Sequence, residues 1–322
     1  MSPPLILIGG PTASGKSALA LAIAEEFAGT VINADSMQIY RDLAILTARP
    51  GPADEARAPH RLYGVLDAAD PCSAVRWRDL AEGEIAAAEA RGSLAVVVGG
   101  TGLYLRALVD GLADIPPVPA ATRAEARRLH QRLGGAGFRV CLAARDPAGA
   151  ARLAAGDTQR LLRAYEVIAA TGRPLGDWQQ DQVAGQRRAN VATLVLMPPR
   201  PSLYAACEAR FAAMVAAGAL EEVRALLARR LDPALPAMKA VGVPELARHL
   251  AGAIPLDEAI RLGQQATRRY AKRQVTWFRH QMPEAKVIAA QFSESLLEEI
   301  FSFIRQFLLT ARKPVFRVAP PR

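Results

Sequence analysis

Leu5-Ile6-Leu7-Ile8-Gly9-Gly10-Pro11-Thr12-Ala13-Ser14-Gly15-Lys16-Ser17 decides the fold. Four consecutive apolar residues predict a strand buried on both faces, as in a parallel sheet covered by helices. Two glycines end it. Gly10 to Ser17 then fits G-x-x-x-x-G-K-[ST], a glycine-rich loop that opens a helix. Glycines let backbone N–H groups wrap phosphate oxygens, and the helix N-terminus adds partial positive charge. Lys16 neutralises charge directly, and the Ser17 hydroxyl suits Mg2+. Ser17 to Phe27 continues at helical spacing through Leu19, Ile23 and Phe27. The loop therefore lies between strand and helix, where phosphate or diphosphate binding needs it.

Two more apolar strands reach the same edge. Thr30-Val31-Ile32 runs into Asn33-Ala34-Asp35-Ser36, and Leu94 to Val98 ends in Gly99-Gly100-Thr101-Gly102. Trp77 to Arg91, between them, has the composition of a helix. In open α/β sheets ligands sit outside the carboxyl ends of the strands. Asp35 and Thr101 are therefore expected to face the loop's phosphates. A carboxylate there can act as general base or hold Mg2+ through water. No apolar strand runs directly into a lone Asp, which argues against a motor-type or switch-type NTPase.

From Gly111 to about Asn190 the character changes. Pro116, Pro117 and Pro119 break the chain, and Arg-rich helical segments follow at 122–132, 147–153 and 158–170. Phe138 to Leu142 looks strand-like. Val191 to Met197 returns to an apolar strand. The expected architecture is α/β: a P-loop NTPase-like parallel sheet with helices on both faces and a helical insertion domain. The core is expected at 1–112 and 191–312, the insertion at 113–190, and a frayed tail at 313–322, where Pro314, Pro320 and Pro321 fall. Helices are expected over 202–216, 220–230, 257–281 and 293–309.

The chain has 322 residues, with 51% hydrophobic and 22% charged, enough for a packed core. It holds 40 Lys and Arg against 31 Asp and Glu, a net charge of +9. An anionic partner is indicated. The three cysteines and four histidines are scattered, so neither a disulfide framework nor a Cys/His metal centre is expected. No apolar run reaches membrane-spanning length and no signal peptide is evident, which favours a cytoplasmic protein. Basic residues concentrate in two places. Arg123, Arg160 and Arg163 lie in the insertion. Arg268, Arg269, Lys272, Arg273 and Arg279 lie on the later helix, interleaved with Tyr270, Trp277, Phe278 and His280. Positions 269, 272, 273, 276 and 280 share one helical face. Such a face neutralises backbone phosphates, and aromatics can stack on splayed bases. A solvated basic face over core aromatics is the simpler alternative.

Taken together, these stretches resemble the tRNA dimethylallyltransferase family. The matching segments are Gly10 to Ser17, Asn33-Ala-Asp-Ser-Met-Gln-Ile-Tyr40, Thr47-Ala-Arg-Pro50, Pro59-His-Arg-Leu62, Val98-Gly-Gly-Thr-Gly-Leu-Tyr104, Asp157-Thr-Gln-Arg160, Arg163-Ala-Tyr-Glu166, and Ala266 to Arg279. They are collinear and span most of the chain. Two stretches depart from the family pattern: Leu46-Thr-Ala-Arg-Pro50 and Val241-Gly-Val-Pro-Glu245. No Cys/His zinc finger of the eukaryotic type follows, so the bacterial type is the nearer match.

The resemblance implies transfer of a dimethylallyl group from dimethylallyl diphosphate to the exocyclic N6 amine of an adenosine. That adenosine lies 3′ to the anticodon of tRNAs reading codons that begin with U. The loop from Gly10 through Pro11, Thr12, Ala13, Ser14, Gly15 and Lys16 to Ser17 would cradle the donor's diphosphate, with Mg2+ on Ser17. Asp35 would accept the proton from, or hydrogen-bond, the attacking amine. Lys16, Thr101 and Arg224 would steady the leaving diphosphate. Asp35, Ser36, Met37, Gln38, Thr101, Arg123, Gln159, Arg160, Leu161, Leu162, Arg163, Lys272, Arg273 and Arg279 would contact the anticodon stem-loop. A monomer is expected. The same core could instead prenylate free adenine nucleotides. Two further alternatives are a small-molecule kinase and an RNA-binding protein with a vestigial nucleotide site.

Overall fold

A computed structural model describes residues 3–181 and 187–311. The tail expected at 313–322 lies outside them. The chain divides into two compact units, Met1–Val109 with Arg188–Arg322, and Asp110–Arg187. The insertion was expected at 113–190, between the proline cluster and the strand that begins at Val191.

The first unit is built on a six-stranded sheet. Its strands are β1 (Leu5–Gly9), β2 (Gly29–Asn33), β3 (His60–Arg61), β4 (Leu94–Gly99), β5 (Val191–Leu196) and β6 (Lys286–Ile288). All pairings are parallel and the order is β3-β2-β4-β1-β5-β6. β3 and β6 are too short to carry a periodic signal, and the sequence reading missed both. The helices in chain order are α1 (Lys16–Glu26), α2 (Pro52–Glu55), α3 (Ala74–Ala90), α4 (Gly102–Val109), α5 (Ala120–Ala143), α6 (Pro147–Arg152), α7 (Thr158–Thr171), α8 (Leu175–Gln180), α9 (Arg200–Met214), α10 (Leu220–Ala228), α11 (Val243–Leu250), α12 (Leu256–Gln281) and α13 (Leu297–Ala311).

Strand side chains alternate between faces, so the sheet builds two cores. Leu5, Leu7, Ile32, Val97 and Val195 face one core with Trp77, Phe211, Val223 and Leu246. Ile6, Ile8, Val31, Val96, Leu194 and Leu196 face the other, with Leu19 and Ile23 of α1 and Ile300 and Ile304 of α13. Burial on both faces explains why the strands read as unbroken apolar runs. Trp77 of α3 is fully buried, and its indole N–H donates to the Asn33 carbonyl at 2.8 Å. It stacks on Tyr104 at 4.6 Å between ring centroids. This clamps the end of β2, from which Asp35 projects.

The second unit is helical. Phe138, Leu142, Leu161, Ala164, Tyr165 and Ile168 form its core. Phe138 and Leu142 are helical, not strand: they lie one turn apart and buried, while Arg139 and Val140 between them are exposed. Gly134, at φ 64°, bends α5 in the middle. Asp157 caps α7 by accepting the Arg160 N–H at 3.3 Å. Among the described residues no helix is long and apolar enough to cross a membrane.

Candidate functional site

The carboxyl ends of β1 and β2 meet α9 and α12 around a cavity of about 240 Å³. Thr12, Lys16 and Ser17 form one wall. Asp35, Ser36, Met37 and Gln38 form a second, and Leu46 and Thr47 a third. Cys207, Arg210, Phe211 and Met214 of α9 close it, together with Lys239, Val241, Thr267, Tyr270 and Arg273. The loop and the 35–38 segment were expected to meet here, and they do. A wider hollow of about 680 Å³ lies beyond Arg210 and Met214, which border both spaces.

The loop is tied to its surroundings. Oε1 of Gln274 accepts the Thr12 N–H at 2.8 Å, and Nε2 donates to the Gly100 carbonyl at 2.9 Å. The Gln291 side chain donates to the Ala13 carbonyl at 2.6 Å, and the Phe292 N–H to the Ser14 carbonyl at 3.2 Å. Lys16 is buried and its ammonium donates to the Pro11 carbonyl at 3.3 Å. Desolvation pulls that ammonium down to about 8, opposed by the Asp35 carboxylate and reinforced by Arg210. Ser17 is exposed at the cavity mouth.

The Asp35 segment is held by a buried asparagine. Asn33 accepts the Asp35 N–H at 2.8 Å and donates to the Asp35 and Leu62 carbonyls, each at 3.0 Å. One Asp35 oxygen accepts the Met37 N–H at 2.9 Å, which leaves the carboxylate half-exposed toward the cavity. Thr101 does not line the cavity. Its hydroxyl accepts the Ser36 N–H at 2.9 Å and donates to the Ser36 hydroxyl at 3.2 Å. Thr101 thus fixes the turn that carries Asp35.

Arg224 is a correction. It is exposed on α10, paired with Glu221 one turn earlier, and outside the cavity. Arg210 occupies the expected place instead. Its Nη2 donates to the Thr47 carbonyl at 3.2 Å, while its Nε is fully buried without a protein acceptor. Burial pushes the guanidinium below its usual value, and Asp35 opposes the shift. A sequence signal for Arg210 existed: it lies on the same face of α9 as Leu203, Cys207, Phe211 and Met214, a cation within an apolar stripe. Lys239, Tyr270 and Gln274 were also missed as cavity or loop-holding residues.

The later basic helix divides by face. Arg269, Lys272, Arg273, Thr276, Arg279 and His280 are exposed, as the spacing required. Trp277 and Phe278 point inward, against the stacking role considered for them, whereas Tyr270 lines the cavity. Phe278 is buried, and Trp277 packs edge-on against it. A Cβ on Gly102 would stand 2.2 Å from the Trp277 ring, and one on Gly100 2.2 Å from the Gln274 amide. Those glycines let α12 lie directly on the sheet edge. Gln38 is also committed, donating to the Thr47 and Ala48 carbonyls at 2.9 and 3.2 Å.

Within the helical unit, Arg123, Gln159 and Arg160 are exposed, and Arg160 bonds Asp157. The Leu161 side chain is fully buried in that unit's core, and Leu162, half-buried, packs against it. Arg163 is half-buried beside Glu166. Burial lowers the guanidinium and raises the carboxyl, with Arg123 also acting on both.

Residues 38–281 match the sequence profile of the family described as IPPT: IPP transferase. A tRNA dimethylallyltransferase from Rhodospirillum centenum is 62% identical over 88% of this chain and 90% of its own length. One from Paramagnetospirillum magneticum is 57% identical over 96% of this chain and 98% of its own. The crystal structure of the full-length tRNA isopentenylpyrophosphate transferase from Bacillus halodurans superposes with a TM-score of 0.70 at 31% identity. It covers 95% of this chain and 97% of that one. The family profile spans most of the chain, these relatives cover it nearly end to end, and the chain belongs to the IPP transferase family.

Proposed function

We propose that this enzyme transfers the dimethylallyl group of dimethylallyl diphosphate to the N6 amine of the adenosine 3′-adjacent to the anticodon, in tRNAs reading codons that begin with U. The observation that carries the reading is the convergence of Lys16, Asp35 and Arg210 on one cavity, in a chain whose relatives bear that activity in their names. The N6–C bond forms as the allylic C–O bond breaks and diphosphate leaves. Lys16 and Arg210, with the amides of the first turn of α1, balance the charge that develops on the departing oxygens. The amine is a poor nucleophile, so its orientation beside Asp35 matters, and the Asp35 carboxylate accepts the proton it sheds.

Ser17 and Asp35 are hard oxygen donors and suit Mg2+. Among the described residues no cluster of three His, Cys, Asp or Glu stands ready to cage an ion. That fits an ion held by one or two protein oxygens plus substrate phosphate and water. When bound, it would add charge neutralisation at the diphosphate.

The exposed face of Arg269, Lys272, Arg273 and Arg279 supports a polynucleotide acceptor over a free nucleotide. The test follows diphosphate release from dimethylallyl diphosphate. Release that requires unmodified tRNA supports the reading. Release equally driven by AMP moves the enzyme to the nucleotide-modifying alternative.

A further inference from the structure

The loop that follows β6 closes on the phosphate loop from outside the cavity. Gln291 donates its side-chain amide to the Ala13 carbonyl at 2.6 Å, and the Phe292 N–H donates to the Ser14 carbonyl at 3.2 Å. Neither Gln291 nor Phe292 lines the cavity. The approach is close: a Cβ on Gly15 would stand 2.6 Å from the Phe292 Cβ. Phe292 in turn packs against the core shared by α1 and α13, so the contact is anchored at its far end.

The segment held in this way would not hold itself. Ala13 stands at φ 63°, left-handed backbone that a residue with a Cβ adopts only where its surroundings impose it. Each peptide unit here is planar and trans, so its C=O and N–H point in opposite directions. Holding the Ser14 carbonyl on the β6 side therefore turns the Gly15 N–H the other way, and no described residue accepts that N–H. The first-turn amides of α1 follow it, also without intrahelical acceptors. These are the donors that an anion can recruit.

Gln291 gains little for itself from this arrangement. Its Oε1 is buried without a partner. A buried amide with one end unsatisfied costs stability, so the bond at its other end serves the phosphate loop rather than the burial of Gln291.

We propose that Gln291 is a positioning residue that sets the phosphate loop in its anion-binding form, acting through Ala13 from outside the cavity. The inference rests on the diphosphate reading of the loop given above. Gln291 fixes the strained Ala13 peptide and Phe292 fixes the next one. The Gly15 N–H and the first-turn amides are thereby aimed before the ligand arrives. Donors aimed in advance bind more tightly than donors the ligand must order. By reciprocity, a clamp that aids binding is itself tightened by binding.

The test is calorimetric binding of inorganic diphosphate, with Mg2+, to the wild-type protein, to Gln291→Met and to Ile304→Val. Gln291→Met keeps the length of the side chain and removes the donor. It should weaken diphosphate binding about fivefold to tenfold, the size of one hydrogen bond. Donor KM should rise by a similar factor, while kcat and tRNA affinity stay within about twofold. Ile304→Val loosens α13 in the same core without touching the clamp, and its diphosphate affinity should stay within about twofold of wild type. Equal weakening in both variants would reduce Gln291 to a contribution to stability and overturn the proposal, as would an unchanged affinity in Gln291→Met. A wild type that does not bind diphosphate removes the diphosphate reading itself.

Amide exchange on the wild type tests the clamp without any variant. Saturating diphosphate should slow exchange of the Phe292 N–H by at least about threefold, although Phe292 lies outside the cavity. A Phe292 amide whose exchange ignores diphosphate contradicts the proposal.

Discussion

The Arg210 guanidinium donates to the Thr47 carbonyl at 3.2 Å, the same oxygen that accepts from Gln38 at 2.9 Å. One loop carbonyl thus anchors two cavity residues that arrive from different elements. It leaves the Nε of Arg210 buried and without a protein acceptor, which is the arrangement expected of a cation reserved for an anionic ligand. Arg210→Gln should lower kcat/KM for the prenyl donor by about 10²- to 10³-fold, the usual cost of losing one preorganised donor to a leaving group. Arg224→Gln, on the exposed surface of α10, should stay within about twofold of wild type. Steady-state kinetics on both variants compares them. Equal losses would restore Arg224 to the site.

Glu222 holds that loop from beneath. Its two oxygens accept the N–H groups of Ala44, Ile45 and Leu46 at 2.6, 2.8 and 2.9 Å. Glu222→Ala leaves three donors unpaired and should cost about 2–4 kcal/mol of stability. Glu222→Gln keeps the shape but supplies only one acceptor oxygen and should fall between. Denaturant unfolding measures the stability. Donor KM should rise in step with loop disorder, since Thr47 no longer fixes Arg210. A destabilised variant with unaltered KM would separate the loop from the site.

Asp35→Ala should abolish turnover while tRNA binding largely survives, because the carboxylate acts on the amine and the basic surface lies elsewhere. Filter binding and single-turnover assays read the two properties. Unchanged turnover would remove Asp35 from the chemistry.

Lys16 makes donor binding pH-dependent. Its folded value of about 8 lies below the ordinary 10.5. Burial therefore costs stability at neutral pH, and the cost is relieved as pH rises through about 8. Binding runs the other way: the free protein loses the ammonium, and with it diphosphate affinity, as pH rises above about 8. The ratio of wild-type to Lys16→Met affinity for inorganic diphosphate isolates this group. It should be large near neutrality and shrink above pH 8. A ratio constant with pH would place the ammonium outside the binding step.

Arg269, Lys272 and Arg273 face solvent on α12. Neutralising Arg269 and Lys272 with glutamine should weaken tRNA binding and reduce its salt slope by about 0.7 to 0.9 per lost phosphate contact. Diphosphate affinity should not change. An unaltered salt slope would make this a solvated face only.

The core was legible in the sequence because each strand is apolar on both faces and ends in a turn. Leu5 to Gly9, Leu94 to Gly99 and the loop to Ser17 declare themselves by composition alone. His60–Arg61 and Lys286–Ile288 were hidden, since two or three polar-flanked residues become strand only by pairing with a neighbour. Asp35 was legible because it stands in the polar turn Asn33-Ala34-Asp35-Ser36 at the carboxyl end of a strand. Arg210 and Gln274 were not, because their role depends on which face of α9 and α12 meets the sheet edge. For α12 that face is set by the absent side chains of Gly100 and Gly102. Arg224 misled for the converse reason: a lone arginine beside glutamates carries no trace of where its helix points.

The most direct test of the central claim is mass mapping of one reaction: purified protein, unmodified tRNA, Mg2+ and dimethylallyl diphosphate, with the tRNA digested afterwards to nucleosides and to fragments. The account predicts a single five-carbon addition on an adenosine, confined to the fragment that holds the 3′ neighbour of the anticodon. Addition at scattered adenosines, or none on tRNA with AMP prenylated in parallel, would contradict it.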